Sequence, residues 1–334
     1  MKQLLITIHL LIVSLGAFAQ KHELQNQFLA NYQWSSVTQN QTVHGRHETS
    51  FVLHKDKFYL IGGRESKAVE VFDPSSNTWT KVGDAPFFMH HFQAVSYHDH
   101  IYFVGAMKGN YPVETPLEHI WTYQPEKNEW KKQGIIPKEV RRGGGGAVLY
   151  QDKIYLACGI TNGHTSGCSN RFDVYDLSTN TWEQLTSAPH LRDHFNAIVA
   201  NDKLYLIGGR NSSVHHKNNF TAFFKYTNPF VDVYDFKTQQ WITLEDRLPY
   251  PSAAGGVVKL DNYLIYMGGE SAQPKASSKT QVLELTTHKW SLMPDMIEGR
   301  HGTNAILYKG GIYVFGGSPV RGGGRVNTME KLSK

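Results

Sequence analysis

The chain has 334 residues, 40% hydrophobic and 19% charged, enough for one large or two ordinary domains with a sizeable core. A net charge of +5, scattered and with no basic run of five or more, argues against a nucleic-acid partner. Thirty glycines, 17 tyrosines, 17 phenylalanines and 7 tryptophans favour an all-β protein with many turns.

Residues 1–19 read as a cleaved signal peptide. Lys2 gives a positive start, residues 4–15 are largely apolar, and Ala17-Phe18-Ala19 suits a signal-peptidase site. The apolar run is short for crossing a bilayer, and no other segment could span one. The mature protein is therefore expected to be soluble, in a periplasm or secreted. Cys158 and Cys168 flank the glycine-containing stretch 159–167, and an exported chain meets oxidising conditions, so a local disulfide between them is expected.

From residue 34 onward the chain repeats. Gly62-Gly63, Gly105-Ala106, Cys158-Gly159, Gly208-Gly209, Gly268-Gly269 and Gly316-Gly317 form six doublets, 43, 53, 50, 60 and 48 residues apart. Trp34, Trp79, Trp130, Trp182, Trp241 and Trp290 precede them by 28, 26, 28, 26, 27 and 26 residues. From doublet to following tryptophan the spacing varies between 17 and 33, so insertions fall in that half of the unit. Residues 192–210 show the unit's first half. Apolar residues 195–200 and 204–207 flank Asn201-Asp202, a hairpin signal ending at a glycine pair. A third strand and a turn then lead to the tryptophan, as in 231–241, where Asp235 can accept hydrogen bonds from the turn backbone.

Four antiparallel strands that are apolar on both faces cannot stand alone, and radial stacking of copies leaves only short edges. The last unit lacks its tryptophan strand, and residues 32–37 supply one from the other terminus. Trp121 lies off the beat and reads as packing. Doublet, Tyr-Asp and Trp together resemble the Kelch repeat. The resemblance implies an all-β, six-bladed Kelch β-propeller as a single domain over residues 30–334, its ring closed by the N-terminal strand. Unit two departs most, with Ala106 in place of glycine and Gln124 in place of the usual Asp.

The long insertions (107–119, 160–171, 210–229, 270–279 and 318–327) all fall on the face from which each first strand enters. The residues leading into those inner strands should ring the pore: Arg46, His47 and Glu48; His90 and His91; Arg141 and Arg142; Arg192, Asp193 and His194; Tyr250; Arg300 and His301. Just beyond the doublets come Arg64, Tyr111, His164, Arg210, Glu270 and Arg321. Any one Arg or His there has a competing role in blade packing, which the Kelch resemblance implies. The set as a whole points to a ligand site.

Arginine forks suit carboxylate or sulfate, and aromatic loops can stack on sugar rings, so the expected partner is an acidic oligosaccharide or polysaccharide. The leading expectation is β-elimination on a uronate. Arg142, Arg192 and Arg210 would hold the carboxylate, with His47, Glu48, His164, His301 and Arg321 also binding substrate. His91 and His194 would act as base and acid, with Tyr111 as a substitute. A second expectation rests on Gly268-Gly269-Glu270 followed by residues 275–285, which resemble a blade of the bacterial N-acetylneuraminate mutarotase (epimerase) family. That resemblance implies Glu270 as acid/base in sugar ring opening. The third is a non-catalytic glycan- or protein-binding propeller. A metal held by His47, His91, His194 and His301 has no close-spaced motif behind it, so neither metal nor cofactor is assigned. The chain is expected to act as a monomer.

Overall fold

The computed structural model describes residue 29 and residues 31–334. The expected signal peptide lies outside the described residues. Six four-stranded antiparallel sheets form the blades of a propeller. Blade one is Thr49–His54, Lys57–Gly62, Ala68–Asp73 and Thr78–Asp84. Blade six is Ala305–Tyr308, Gly311–Phe315, Met329–Ser333 and, from the other end of the chain, Gln33–Ser36. Trp34 stands opposite Leu332 in that closing pair, and its indole N–H reaches Thr280 Oγ1 and the Pro294 carbonyl, both at 3.0 Å. Closure thus joins blade six to blade five as well as to itself.

The hairpin chemistry is as the residues dictate. In blade four, Asn196–Ala200 pairs with Lys203–Ile207, with Ala200 opposite Lys203. Asn201 and Asp202 both take left-handed backbone angles, φ 49° and 55°, which the type I′ turn of a two-residue hairpin requires. Asp73, Asp176 and Asp235 each accept a backbone N–H two residues on, at 2.9 Å, so the recurring Asp is a turn device. The core lies between blades. Phe51, Phe58, Phe72 and Trp79 of blade one, for example, bury themselves against Ile306, Phe315 and Met329 of blade six. Trp121 packs on Phe87, with ring centroids 5.3 Å apart. The glycine run at 143–146 brings blades close. A Cβ on Gly146 would stand 2.5 Å from the Ala197 Cβ of blade four.

Two expectations are corrected here. In blade three the insertion is largely strand. Lys153–Asn162 and Ser166–Asp176 run on as a long hairpin, leaving only residues 163–165 as its tip. Within that hairpin the cysteines are free rather than bridged. A register shift between Ala157 and Gly159 turns Cys158 into the core, while Cys168 lies opposite Ile160. Each thiol meets a different carbonyl, Cys158 that of His190 (3.6 Å) and Cys168 that of Arg210 (3.8 Å). Burial raises both thiols, Cys158 to about 12, so neither supplies thiolate.

Candidate functional site in the mouth of the ring

One residue per blade lines the axis where the first strands enter: Glu48, His91, Gly144, His194, Ala254 and Gly302. All six have positive φ, between 53° and 71°. Their backbones form a closed circle. The N–H of His91 donates to Glu48 O, Gly144 to His91, His194 to Gly144, Ala254 to His194 and Gly302 to Ala254, over 2.6–3.1 Å. Thr49 N–H then donates to Gly302 O at 3.2 Å. Left-handed backbone is costly for residues with a side chain, about 1 kcal/mol or more each, and here the circle of hydrogen bonds holds it in place. Three of the six positions carry only Gly or Ala, which leaves axial space for Glu48, His91 and His194.

The residue two places earlier latches the blade internally. Arg46, Arg142, Arg192 and Arg300 pair with Glu70, Asp173, Asp232 and Glu330 on the third strand of the same blade. Arg142 also donates to the carbonyls of Val140, Cys158 and Leu156, and Arg192 to those of Leu206, Gly208 and Phe230. Arg142 and Arg192 are buried, with both terminal nitrogens of each guanidinium engaged inside the blade. The expectation that they bind substrate is therefore corrected: they hold strand one to strand three.

Above the axial circle opens a bowl of about 550 Å³. Of the expected residues, His47, Glu48, Tyr111, His164, Arg210, Glu270 and Arg321 line it, with Arg64 among them. His301 stands behind the wall, its Nε2 3.3 Å from Glu270 and its Nδ1 3.8 Å from Glu48. His91 and His194 do not line the bowl. They are 4% and 3% exposed and border a narrow axial cavity of about 30 Å³ beneath it. A ligand confined to the bowl would meet Tyr111, the expected substitute, and not these two imidazoles.

Four buried carboxylates organise the site. Glu270 pairs with Arg210 and accepts the Gly322 N–H at 2.8 Å. Glu114 accepts from Arg64 Nη2 (2.6 Å) and His164 Nδ1 (3.2 Å). Asp193 accepts from His194 Nδ1 (2.6 Å) and from the hydroxyl and N–H of Ser212 (2.5 and 2.9 Å). Glu48 lies 3.3 Å from His91 Nε2. Burial alone would raise these carboxyls, but the facing imidazoles, guanidiniums and N–H groups outweigh it. Glu270 falls to about 2, and Glu48, Glu114 and Asp193 also fall below the ordinary range. Burial lowers His47, His91 and His164, the last to about 4. Tyr111 is raised, first by burial and then by Glu114, so at neutral pH it is a phenol, a proton donor and not a tyrosinate base. Arg210 packs beside the adjoining rings of Phe223 and Phe224, 4.9 and 5.0 Å from their centres.

Glu270 carries a pH consequence. Its folded value is depressed, so its share of stability is fully present above the ordinary glutamate range near 4.3 and is lost as pH falls toward about 2. Within that window it should weaken folding by about 1.4 kcal/mol per pH unit. Denaturant midpoints between pH 5 and 2.5 should show a slope that Glu270→Gln reduces.

Glu114, Phe223 and Phe224 were not legible in the sequence. Glu114 lies in an insertion with no motif around it. The two phenylalanines belong to the short 3-10 segment Phe220–Lys225, whose placement depends on the blade-four insertion. Their only signal was position on the long-loop face.

Comparison with known proteins matches the chain's residues 16–258 to a family model described as the attractin/LZTR1 β-propeller. The Kelch-like protein terF of Aspergillus terreus is 26% identical over 317 residues, 86% of this chain and 65% of its own length. Kelch-like protein 40 of Xenopus laevis is 33% identical over 162 residues, 46% of this chain and 25% of its own length. The chain thus spans less than two thirds of either relative. The solved structure of YjhT superposes with a TM-score of 0.72 at 16% identity, covering 87% of this chain and 95% of that one. At that identity the likeness concerns the fold alone.

Proposed function

The chain belongs to the attractin/LZTR1 β-propeller family, a Kelch-repeat family, and on that premise we propose that its bowl binds an acidic sugar and interconverts the sugar's anomers. The observation that carries this reading is the company kept by one carboxylate. Glu270 lies on the bowl wall, with under-committed guanidiniums and an exposed tyrosine around the same space.

Arg64 uses only Nη2, on Glu114 and His91, so its Nε and Nη1 remain for a ligand carboxylate. Arg321 spends Nη1 on the Ala272 carbonyl and stacks over Phe224 at 5.2 Å. Tyr111 offers a ring face for the sugar, 47% exposed and 5.0 Å from His164. The reaction needs only two proton transfers. Glu270 takes the proton of the anomeric hydroxyl while the Tyr111 phenol gives one to the ring oxygen, and the ring C–O bond breaks to an open-chain carbonyl. Closure from the other carbonyl face returns both protons. A free carboxyl near 2 is a weak base. A sugar carboxylate arriving on Arg64 or Arg321 adds negative charge near Glu270 and makes it a stronger one.

Elimination on uronates has less to stand on, because its two imidazoles lie under the floor. The reading is tested by exchange NMR on N-acetylneuraminate at neutral pH. Anomer interconversion should rise in proportion to protein concentration. Binding without added exchange would instead assign the bowl to recognition alone, and neither binding nor exchange would remove the sugar acid from the account.

A further inference from the structure

At the floor of the bowl, which His164 itself lines, His91, His164 and His194 bring one ring nitrogen each within 4.8 Å of the others. Ring centroids lie 4.7 Å apart for His91 and His194, 4.7 Å for His164 and His194, and 5.3 Å for His91 and His164. They come from three blades. His91 and His194 sit on the axial circle, and His164 reaches in from the tip of the blade-three hairpin.

Hydrogen bonding fixes which nitrogens converge. His90 Nε2 donates to the Gly109 carbonyl (3.0 Å), so its Nδ1 accepts, and His91 Nδ1 donates to it at 2.6 Å. His164 Nδ1 donates to Glu114, and His194 Nδ1 to Asp193. In all three rings Nδ1 is the donor and Nε2 is the acceptor. The Nε2 of His194 is buried and has no hydrogen-bond partner, an unusual state for a polar atom. Imidazoles whose Nδ1–H groups rest on carboxylates or another acceptor, with Nε2 atoms meeting at a point, are oriented as metal ligands are.

Charge points the same way. Glu114 pairs with Arg64 and Glu270 with Arg210, while Glu48 faces His91 and His301 and Asp193 faces His194 and Ser212, two buried carboxylates with no guanidinium of their own among the described residues. Those guanidiniums approach His91 Nε2 and His164 Nε2 only at 3.4 Å, and each already has a carboxylate.

We propose that the Nε2 atoms of His91, His164 and His194 bind one divalent ion of the zinc type on the propeller axis, pinning blades two, three and four. Three imidazoles suit Zn²⁺, which takes nitrogen ligands in a four-coordinate shell. Glu48, 3.3 Å from His91 Nε2, is a carboxylate on the side where a fourth ligand would stand. The ion would sit at the floor of the bowl, which His164 and Glu48 also line, and takes no part in the two proton transfers assigned to Glu270 and Tyr111.

The test uses the full chain stripped with chelator, then titrated calorimetrically with Zn²⁺, with Co²⁺ as spectroscopic probe. One ion per chain is expected, with the intense visible bands of four-coordinate cobalt. Asp193→Asn removes the charged orienting partner of His194, while the amide oxygen can still accept from Ser212, and should weaken binding 10- to 100-fold. His164→Gln removes a ligand and should weaken it at least as much. Should His164→Gln fail to fold, Asp193→Asn and Glu114→Gln carry the test. Absence of saturable binding, a six-coordinate cobalt spectrum, or variants that bind as tightly as the parent would overturn the site. His91 and His164 would then be left to their long contacts with arginine.

Discussion

Glu270→Gln is expected to lower anomer interconversion by about 10²- to 10⁴-fold in kcat, the usual loss when a positioned acid/base group is removed. KM should change far less, because the ligand carboxylate is held by Arg64 and Arg321 and not by Glu270. Gln keeps the shape and can still accept the Gly322 N–H. It leaves Arg210 without its strongest partner, so some loss of stability accompanies the loss of rate. Tyr111→Phe separates the two effects. The ring is exposed at the bowl and its hydroxyl bonds to no other described residue, so folding should be unaffected while kcat falls. Equal kcat for parent and both variants would take the chemistry away from this pair.

The largest effect on stability should come from a residue with no part in chemistry. Arg192→Met strands Asp232, wholly buried and otherwise supported by His190 Nδ1 (2.9 Å) and Thr243 Oγ1 (2.7 Å). Breaking one partner of a buried pair costs roughly 3–5 kcal/mol. Pairing it with Asp232→Leu should recover much of that, since the carboxylate is then no longer stranded. Chemical denaturation of the two variants measures both. A loss under about 1 kcal/mol for Arg192→Met would mean that Asp232 is satisfied without its arginine.

The architecture was legible because its signals are local and repeated. Gly-Gly closes a second strand, Asp235 caps a turn, and Trp34 at the far terminus completes the last blade. The face carrying the site was legible too, because insertion lengths betray it. Arginine roles were not. Arg192 and Arg210 are both arginines beside a doublet hairpin, and only the third strand, which places Asp232 against one and leaves the other to Glu270, tells latch from site. The depth of His91 and His194 was hidden for a related reason. A residue at the head of a first strand lies in the bowl or under its floor according to a left-handed backbone that spacing alone does not reveal. His164, which joins them, comes from a loop whose reach depends on how far a hairpin continues as strand. The free state of the cysteines was hidden too, because the register shift between Ala157 and Gly159 that turns Cys158 into the core leaves no mark in the spacing.

Ligand in the mouth of the ring is the premise of both the anomer chemistry and the roles given to Glu270 and Tyr111. A crystal structure of the chain grown with saturating N-acetylneuraminate addresses this most directly. The sugar is predicted in the bowl beside Tyr111, with its carboxylate on Arg64 or Arg321 and its anomeric hydroxyl within hydrogen-bond reach of Glu270. Sugar bound on the opposite face or between blades, or an empty bowl in protein shown to bind the sugar in solution, would contradict it.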